Sequence, residues 1–329
     1  MLLLPELTML LFSVVFLLLS LADRKGQVFS WARFMALAGL AVSLVSVTGE
    51  GSLFSGAYSV DLFSQIFKVL LSLGFCFVVF MFGSENEVEK SFLPEYIMFL
   101  SFSTLGLMML ASAVELISIV ISLEISSFSL YAIVPLRRSQ SRLQLEAAVK
   151  YLFFGAVSTG IMLYGMGYLY GMAGSTFLAD IIPVLPTYIY RPMGILALVL
   201  TMTGFFFKLS LFPLHFWAPD IYEGASNTTT TFIATVPKIA AVALLLRIAM
   251  LLPFVPLPLA NILIILAALS MTAGNLAGLV QKDIKRLLAY SGIAHAGYLM
   301  LGIIALNNGG GASAIYYIAV YLFMNLACF

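Results

Sequence analysis

Three charged residues lie inside stretches of the chain that are otherwise apolar. Glu124 occurs in VELISIVISLEISSFSLY, Lys208 in LALVLTMTGFFFKLSLFP and Lys238 in TTFIATVPKIAAVALLL. A charge at the centre of a membrane helix costs roughly 2.5–3.5 kcal/mol on insertion scales, and such residues usually mark a pathway for ions or protons. A desolvated lysine holds its proton less tightly, and a nearby carboxylate reverses that effect. These residue types therefore predict the movement of ions through a membrane.

Each of these residues also has a purely structural interpretation. Serine hydroxyls near Glu124 would hold a protonated carboxyl as a link between helices, and a static ion pair would explain the lysines. However, Lys208 lies just before Pro213 and Lys238 directly follows Pro237, and proline interrupts helical hydrogen bonding. Broken or kinked membrane helices occur where they line a cavity or pack against protein, which favours the proton pathway.

Two further residues are candidates for the same pathway. Glu146 and Lys150 have the favourable i,i+4 order at the start of a span, so a surface ion pair explains Lys150 about as well as a place in the pathway does. His295 lies in an apolar segment, and an unperturbed imidazole titrates near neutral pH, although a lone histidine is often only a packing residue.

The charges near the ends of apolar segments carry weaker signals. Glu6, Glu50, Asp61 and Glu115 lie near span ends, where we expect water to reach them. Lys68 is several residues inside a span, and snorkelling toward the interface is one explanation for it.

The composition excludes a soluble protein. Of the 329 residues, 62% are hydrophobic and only 9% are charged, and the mean hydropathy is +1.08. A soluble domain needs two to three times that charge on its surface. The basic residues form no stripe that would bind nucleic acid. Cys76 and Cys328 have no nearby Cys or His, so neither a disulfide framework nor a metal site is expected.

The hydropathy pattern predicts an all-α polytopic membrane protein with eleven transmembrane helices. A window of about 20 apolar residues finds them near residues 2–22, 31–49, 62–82, 94–112, 114–136, 147–171, 192–212, 231–252, 259–280, 287–306 and 312–329. The first of them has no basic region before it and is long enough to span, and Arg24 and Lys25 follow it in place of a cleavage site. We therefore interpret it as a retained helix and not as a signal peptide.

Basic residues predict the orientation, because cytoplasmic loops are enriched in Lys and Arg. With the N-terminus outside, most of them fall in inward loops: Arg24, Lys25, Arg33, Lys90, Arg137, Arg138, Arg142, Lys282, Lys285 and Arg286. The last span runs straight into the chain end, and the chain is therefore expected to be part of a longer protein.

A weak internal repeat suggests how the spans are organised. The run Tyr151-Leu152-Phe153 recurs as Tyr321-Leu322-Phe323, five helices later, and an odd number of helices inverts the second copy. We expect three N-terminal helices over residues 1–93, a first five-helix repeat over 94–252, and the start of a second, inverted and incomplete five-helix repeat over 253–329.

Several long motifs resemble one family. LLPEL at the start, LISIVISLEISSFSLYAI, EAAVKYLFFGAVSTGIMLYG, FFFKLSLFPLHFWAPDIYEGASNTTTTFIATVPKIA and QKDIKRLLAYSGIAHAGYL cover nearly the whole chain. They are similar to the antiporter-like membrane subunits of respiratory complex I, most closely the subunit N group of NADH-quinone oxidoreductases, the counterpart of mitochondrial subunit 2. The resemblance implies a proton relay from the fifth-helix Glu124 and the seventh-helix Lys208 to the central Lys238, with Lys150 and His295 as further members.

The resemblance also implies partners and a location. We expect NAD, FMN, iron–sulfur clusters and quinone to be bound by partner subunits and no cofactor by this chain. The partners would be other membrane-arm subunits, and the location the inner membrane of a bacterium. Two alternatives stay open: a subunit of a multisubunit sodium/proton antiporter, and a non-catalytic scaffold between neighbouring subunits.

Overall fold

The chain folds into a bundle of membrane-length helices. The computed structural model describes residues 2–22, 28–82, 87–137, 142–252, 256–306 and 309–329. The helices are α1 (Leu4–Leu21), α2 (Val28–Val45), α3 (Leu62–Met81), α4 (Leu93–Ser112), α5 (Leu116–Ile133), α6 (Arg142–Ala173), α7 (Leu178–Tyr188), α8 (Pro192–Leu209), α9 (Trp217–Gly224), α10 (Asn227–Leu251), α11 (Leu257–Leu279), α12 (Ile284–Ile304) and α13 (Gly310–Cys328).

The prediction of an all-α polytopic protein is confirmed. Within the described ranges, eleven helices have the length and composition to cross a membrane; α7 and α9 are shorter. Of the residues that predicted the orientation, Arg24, Lys25 and Arg138 lie outside the described part of the chain.

A small hairpin was not expected from the sequence. The Gly- and Ser-containing stretch between α2 and α3 contains two antiparallel strands, β1 (Gly51–Leu53) and β2 (Tyr58–Val60), with Gly51 opposite Val60 and Leu53 opposite Tyr58. Asp61 follows directly and caps α3: its carboxylate accepts a hydrogen bond from the Ser64 backbone N–H at 2.8 Å. Strands of three residues are too short to give the alternating pattern by which strands are recognised.

Helix α10 forms the centre of the bundle. Every residue of its most apolar segment is buried, compared with 22% for α11. It packs against α3, α4, α8, α12 and α13. Because α10 is enclosed by these helices and its most apolar segment is fully buried, Lys238 lies at the middle of the protein.

Helix α8 ends inside the bundle, as the prolines predicted. Its last turn contains Lys208, and Ser210 follows with the left-handed backbone φ of 63°. The Leu211 N–H bonds back to the Phe206 carbonyl at 2.9 Å, which closes the helix end. An irregular segment then leads to α9. Because the C-terminal end of a helix carries partial negative charge, the position stabilises a cation at Lys208.

Candidate proton pathway

Lys208 lies against an aromatic wall. The side chain is buried, with 3% of its surface exposed, and its Nζ lies 5.8 Å from the centre of the Tyr151 ring. Tyr151 in turn stacks on Trp217 at 5.1 Å, and the Trp217 Nε1–H donates to the Phe207 carbonyl at 3.0 Å. Among the described residues, no group hydrogen-bonds to the Lys208 Nζ. The ammonium is thus held by π-electron density and by the helix end, without a polar partner.

Glu124 lies near Lys208 but does not touch it. The carboxylate is half-buried and accepts a hydrogen bond from the Thr159 hydroxyl of α6 at 2.6 Å. It interacts electrostatically with Lys208, yet the two described residues form no ion pair. In the structural alternative the serines near Glu124 on its own helix would hold the carboxyl, but their hydroxyls bond elsewhere: Ser127, for example, donates to the Leu123 carbonyl at 2.8 Å. The hydroxyl that holds the carboxylate therefore comes from a neighbouring helix.

Lys238 has polar partners. It is 2% exposed, and its Nζ donates to the Tyr321 hydroxyl at 3.1 Å and to the Gly292 carbonyl at 3.4 Å. The same Nζ lies 5.4 Å from the centre of the Tyr321 ring. The matching tyrosines of the repeated YLF run, Tyr151 and Tyr321, thus each place a ring beside one of the two buried lysines.

His295 continues the row beyond Lys238. Its ring centre is 5.5 Å from that of Tyr321, and its Nδ1 is 2.5 Å from the Tyr317 hydroxyl. His295 also interacts electrostatically with Lys238. The structure therefore brings the two side chains into one polar cluster, joined by tyrosines of α13.

Lys150 lies in a different environment from the other candidates. About a third of its side chain is exposed, and it forms ion pairs with Glu146 at 2.5 Å and with Asp220 of α9 at 2.6 Å. Arg286 bonds to the other oxygen of Asp220 at 2.8 Å and to Glu223 at 2.8 Å. This ion cluster joins α6, α9 and α12. The i,i+4 pair expected from the sequence is present, within a larger cluster.

Asp220 is the centre of that ion cluster. Burial alone raises the pKa of its carboxyl, but the hydrogen bonds from Lys150 and Arg286 outweigh burial and hold the pKa below its usual value. Asp220 therefore stays charged and keeps α9 fixed between its neighbours.

A second buried pair was not predicted from the sequence. The sequence left the role of Lys68 open, with snorkelling as one explanation, and Glu6 was expected to be reached by water, but Lys68 is fully buried and Glu6 is 5% exposed. Their charged groups meet at 2.6 Å, and the Tyr58 hydroxyl donates to the same Glu6 oxygen at 2.5 Å. The expectation for Glu6 was wrong because α1, α3 and the hairpin close around the pair, which also excludes snorkelling by Lys68. The sequence did contain a signal for this pair, namely a lysine and a carboxylate inside separate apolar spans.

Two more buried polar groups were not singled out by the sequence. Arg247 of α10 binds both carboxylate oxygens of Asp61, each at 2.9 Å. His215 lies in the break after α8, buried between the rings of Phe212 and Phe216 at 5.3 and 4.3 Å.

Comparisons with known proteins agree with this architecture. Residues 113–329 match the family described as NADH:quinone oxidoreductase/Mrp antiporter, transmembrane. A protein of Opitutus terrae named NADH-quinone oxidoreductase subunit N 2 is 44% identical over 99% of this chain and 69% of its own length.

Solved structures show the same fold. A chain of respiratory complex I from Thermus thermophilus superimposes with a TM-score of 0.81 at 34% identity, covering 98% of this chain and 69% of that one. A chain of the Mrp complex from Dietzia sp. DQ12-45-1b gives a TM-score of 0.84 at 17% identity, covering 98% and 62%, a likeness of fold alone. Given 44% identity over nearly its full length, the chain belongs to the subunit N family of NADH-quinone oxidoreductases.

Proposed function

We propose that the chain is a proton-translocating membrane subunit of NADH-quinone oxidoreductase. The observation that carries the proposal is the pair of buried ammonium groups, Lys208 and Lys238, each beside a tyrosine ring in the interior of the bundle. Structural stability alone gives little reason to keep two lysines there, because burying a charge in the membrane is costly. A path for protons requires such groups.

The proposed relay depends on the distance between Glu124 and Lys208. When the carboxylate approaches, Lys208 holds its proton more tightly; when the carboxylate withdraws to Thr159, as it is placed here, the proton is released more readily. Lys238 and His295 receive it in turn, since Tyr321 lies between them. Lys150, next in sequence to Tyr151, acts at the entrance of the relay. Because it is paired with Asp220, it contributes less to proton transfer than Lys208 does.

The energy for each stroke comes from other subunits in this proposal. NAD, FMN, iron–sulfur clusters and quinone would be bound there, and electron transfer would drive the movement of charges in this chain. We place the chain in a bacterial inner membrane with its N-terminus outside, beside other antiporter-like subunits. In this proposal residues 1–93 form three N-terminal helices, residues 94–252 a first five-helix repeat, and residues 253–329 the start of a second, inverted repeat.

The test is proton pumping by the assembled complex. We expect Glu124→Gln and Lys208→Ala each to lower pumping and quinone reduction by at least about tenfold, since a positioned acid–base group typically contributes ~100-fold or more. NADH oxidation by an artificial acceptor should be unchanged, because that reaction does not involve the membrane subunits. Matched controls are Glu50→Gln and Lys282→Ala, which alter exposed residues. Normal pumping in both test variants would refute the assignment.

The sodium/proton antiporter stays the second candidate, because the matching family also includes Mrp antiporters. The 44% identity to a subunit N protein supports the first candidate over the antiporter, whose solved relative is 17% identical. Copurification separates the candidates: flavin and iron–sulfur subunits would accompany the chain in the first case and be absent in the second. A scaffold would copurify with them but tolerate Lys208→Ala.

A further inference from the structure

Gly292 of α12 faces the central lysine. A β-carbon added to it would lie 2.9 Å from the Lys238 Nζ, 3.0 Å from the Tyr321 hydroxyl and 4.0 Å from the Tyr222 hydroxyl. The space that a side chain would take is therefore bordered by three polar groups from three other helices. The Lys238 Nζ also donates to the Gly292 carbonyl at 3.4 Å.

The two tyrosines border this space on opposite sides of Lys238. Tyr321 already accepts a hydrogen bond from Lys238 and lies beside His295. Tyr222, on α9, has its ring 6.5 Å from Trp217, which stacks on the Tyr151 ring beside Lys208. Tyr321 is thus on the His295 side of Lys238, and Tyr222 is on the Lys208 side.

Tyr222 differs from Tyr321 in its bonding. It is 1% exposed, and its hydroxyl has no hydrogen-bond partner among the described residues. A buried hydroxyl without a partner is unfavourable by about 1–3 kcal/mol, so it favours any donor that comes within reach. The Lys238 ammonium, at the end of a flexible side chain, is a donor that borders the same space.

We propose that Gly292 is a positioning residue that leaves Lys238 room to exchange between the hydroxyls of Tyr222 and Tyr321. Bonded to Tyr222, the ammonium faces Lys208; bonded to Tyr321, as here, it faces His295. The exchange gives the relay a direction, since the two contacts are made in turn. This inference rests on the proposed function and adds to it a movement of the Lys238 side chain.

The surroundings distinguish Gly292 from a packing glycine. A β-carbon at Gly297, on the same helix, would meet backbone atoms: the Ala267 carbonyl oxygen at 2.7 Å and the Met271 nitrogen at 3.1 Å. At Gly292 the neighbouring atoms are the ends of a lysine and of two tyrosines. The end of a flexible lysine can shift, so Gly292→Ala is expected to fold while displacing the Lys238 ammonium.

The experiment measures protons pumped per electron in the assembled complex. We expect Gly292→Ala to assemble normally and to lower this ratio severalfold, and Tyr222→Phe, which removes one hydroxyl and keeps the ring, to do the same. Gly297→Ala controls for crowding on α12: it should reduce the amount of assembled complex while leaving the ratio unchanged. Gly167→Ala, with open space around its β-carbon, should change neither.

Three outcomes would overturn the inference. In the first, Gly292→Ala and Tyr222→Phe both keep the normal ratio while Lys238→Met abolishes pumping; the proposed function then stands without the exchange. In the second, Gly297→Ala lowers the ratio as much as Gly292→Ala, and crowding explains both. In the third, Lys238→Met also pumps normally, and the proposed function falls together with the inference.

Discussion

Among the described residues, two combinations of a glutamate with a buried lysine differ in whether their charged groups touch. In the closed pair, formed by Glu6 and Lys68, the charged atoms touch at 2.6 Å and Tyr58 bonds to the same carboxylate. In the open pair, formed by Glu124 and Lys208, the carboxylate bonds to a threonine and the ammonium lies over an aromatic ring. The residue types are the same, and only the geometry separates the pairs.

That difference in contact fits a structural role for the closed pair and the role in proton transfer that we propose for the open pair. Opposite charges about 4 Å apart attract by about 4 kcal/mol at an effective dielectric constant of about 20, and the attraction falls with distance. The closed pair is already at its strongest interaction, so movement can only weaken it. The open pair can still gain interaction when its members approach, and the proposed relay depends on this range.

The largest predicted effect on stability concerns the closed pair. Glu6→Gln leaves the Lys68 charge buried without a counterion, and we expect it to destabilise the protein by about 3–5 kcal/mol. Glu124→Gln should be much milder, because no direct ion pair is lost. Thermal unfolding of the purified complex measures both. The double variant Glu6→Gln/Lys68→Met should recover part of the lost stability. A Glu6→Gln protein that has normal stability but fails to pump would contradict the structural role of the closed pair.

A smaller effect is expected where Asp61 meets Arg247, near the closed pair. Burial alone raises the pKa of Asp61, but hydrogen bonds from Arg247 and Ser64 outweigh it and lower the pKa below the usual 3.8. Because the folded pKa is depressed, the stabilisation is present above about pH 4 and is lost as the pH falls through the folded pKa.

Asp61→Asn tests this pH dependence. We expect a loss of about 1–2 kcal/mol near neutral pH, reduced by solvent screening because the side chain is 40% exposed. Unfolding midpoints of both proteins, compared between about pH 3 and pH 7, should converge only at the acidic end. A difference independent of pH would exclude the charge as its cause.

Thr159→Val tests whether the position of Glu124 in the open pair matters. The substitution keeps the shape and removes the hydroxyl that donates to Glu124 at 2.6 Å. We expect a stability change of only about 1 kcal/mol and a moderate loss of pumping, since nothing then holds the carboxylate away from Lys208. Pumping rate at constant electron input is the measurement, with the exposed Thr187→Val as control. Unchanged pumping would mean that the position of Glu124 does not matter.

The smallest effect is expected at Lys150. Its ion pairs are partly exposed, and such pairs contribute about 0.2–1 kcal/mol. Lys150→Met should therefore leave unfolding nearly unchanged and lower pumping much less than Lys208→Ala does. A loss as large as that of Lys208→Ala would place Lys150 inside the relay instead of at its entrance.

The sequence by itself determined the membrane class, the eleven spans and the identity of the lysines and the glutamate inside them. These features are local: hydropathy needs only a window of neighbouring residues, and a proline interrupts the helix in which it lies. For the same reason the end of α8 beside Lys208 was predictable from Pro213.

Only the tertiary structure decided which polar groups meet. Glu6 and Lys68 are far apart in the chain, Thr159 reaches Glu124 from another helix, and Gly292 makes room for Lys238 from a third. Such contacts depend on how each helix is rotated and how deep it sits. In α10 the apolar residues are spread over all faces of the helix. The sequence therefore carries almost no pattern that reveals which face meets which neighbour, and packing fixes the partners of its buried lysine.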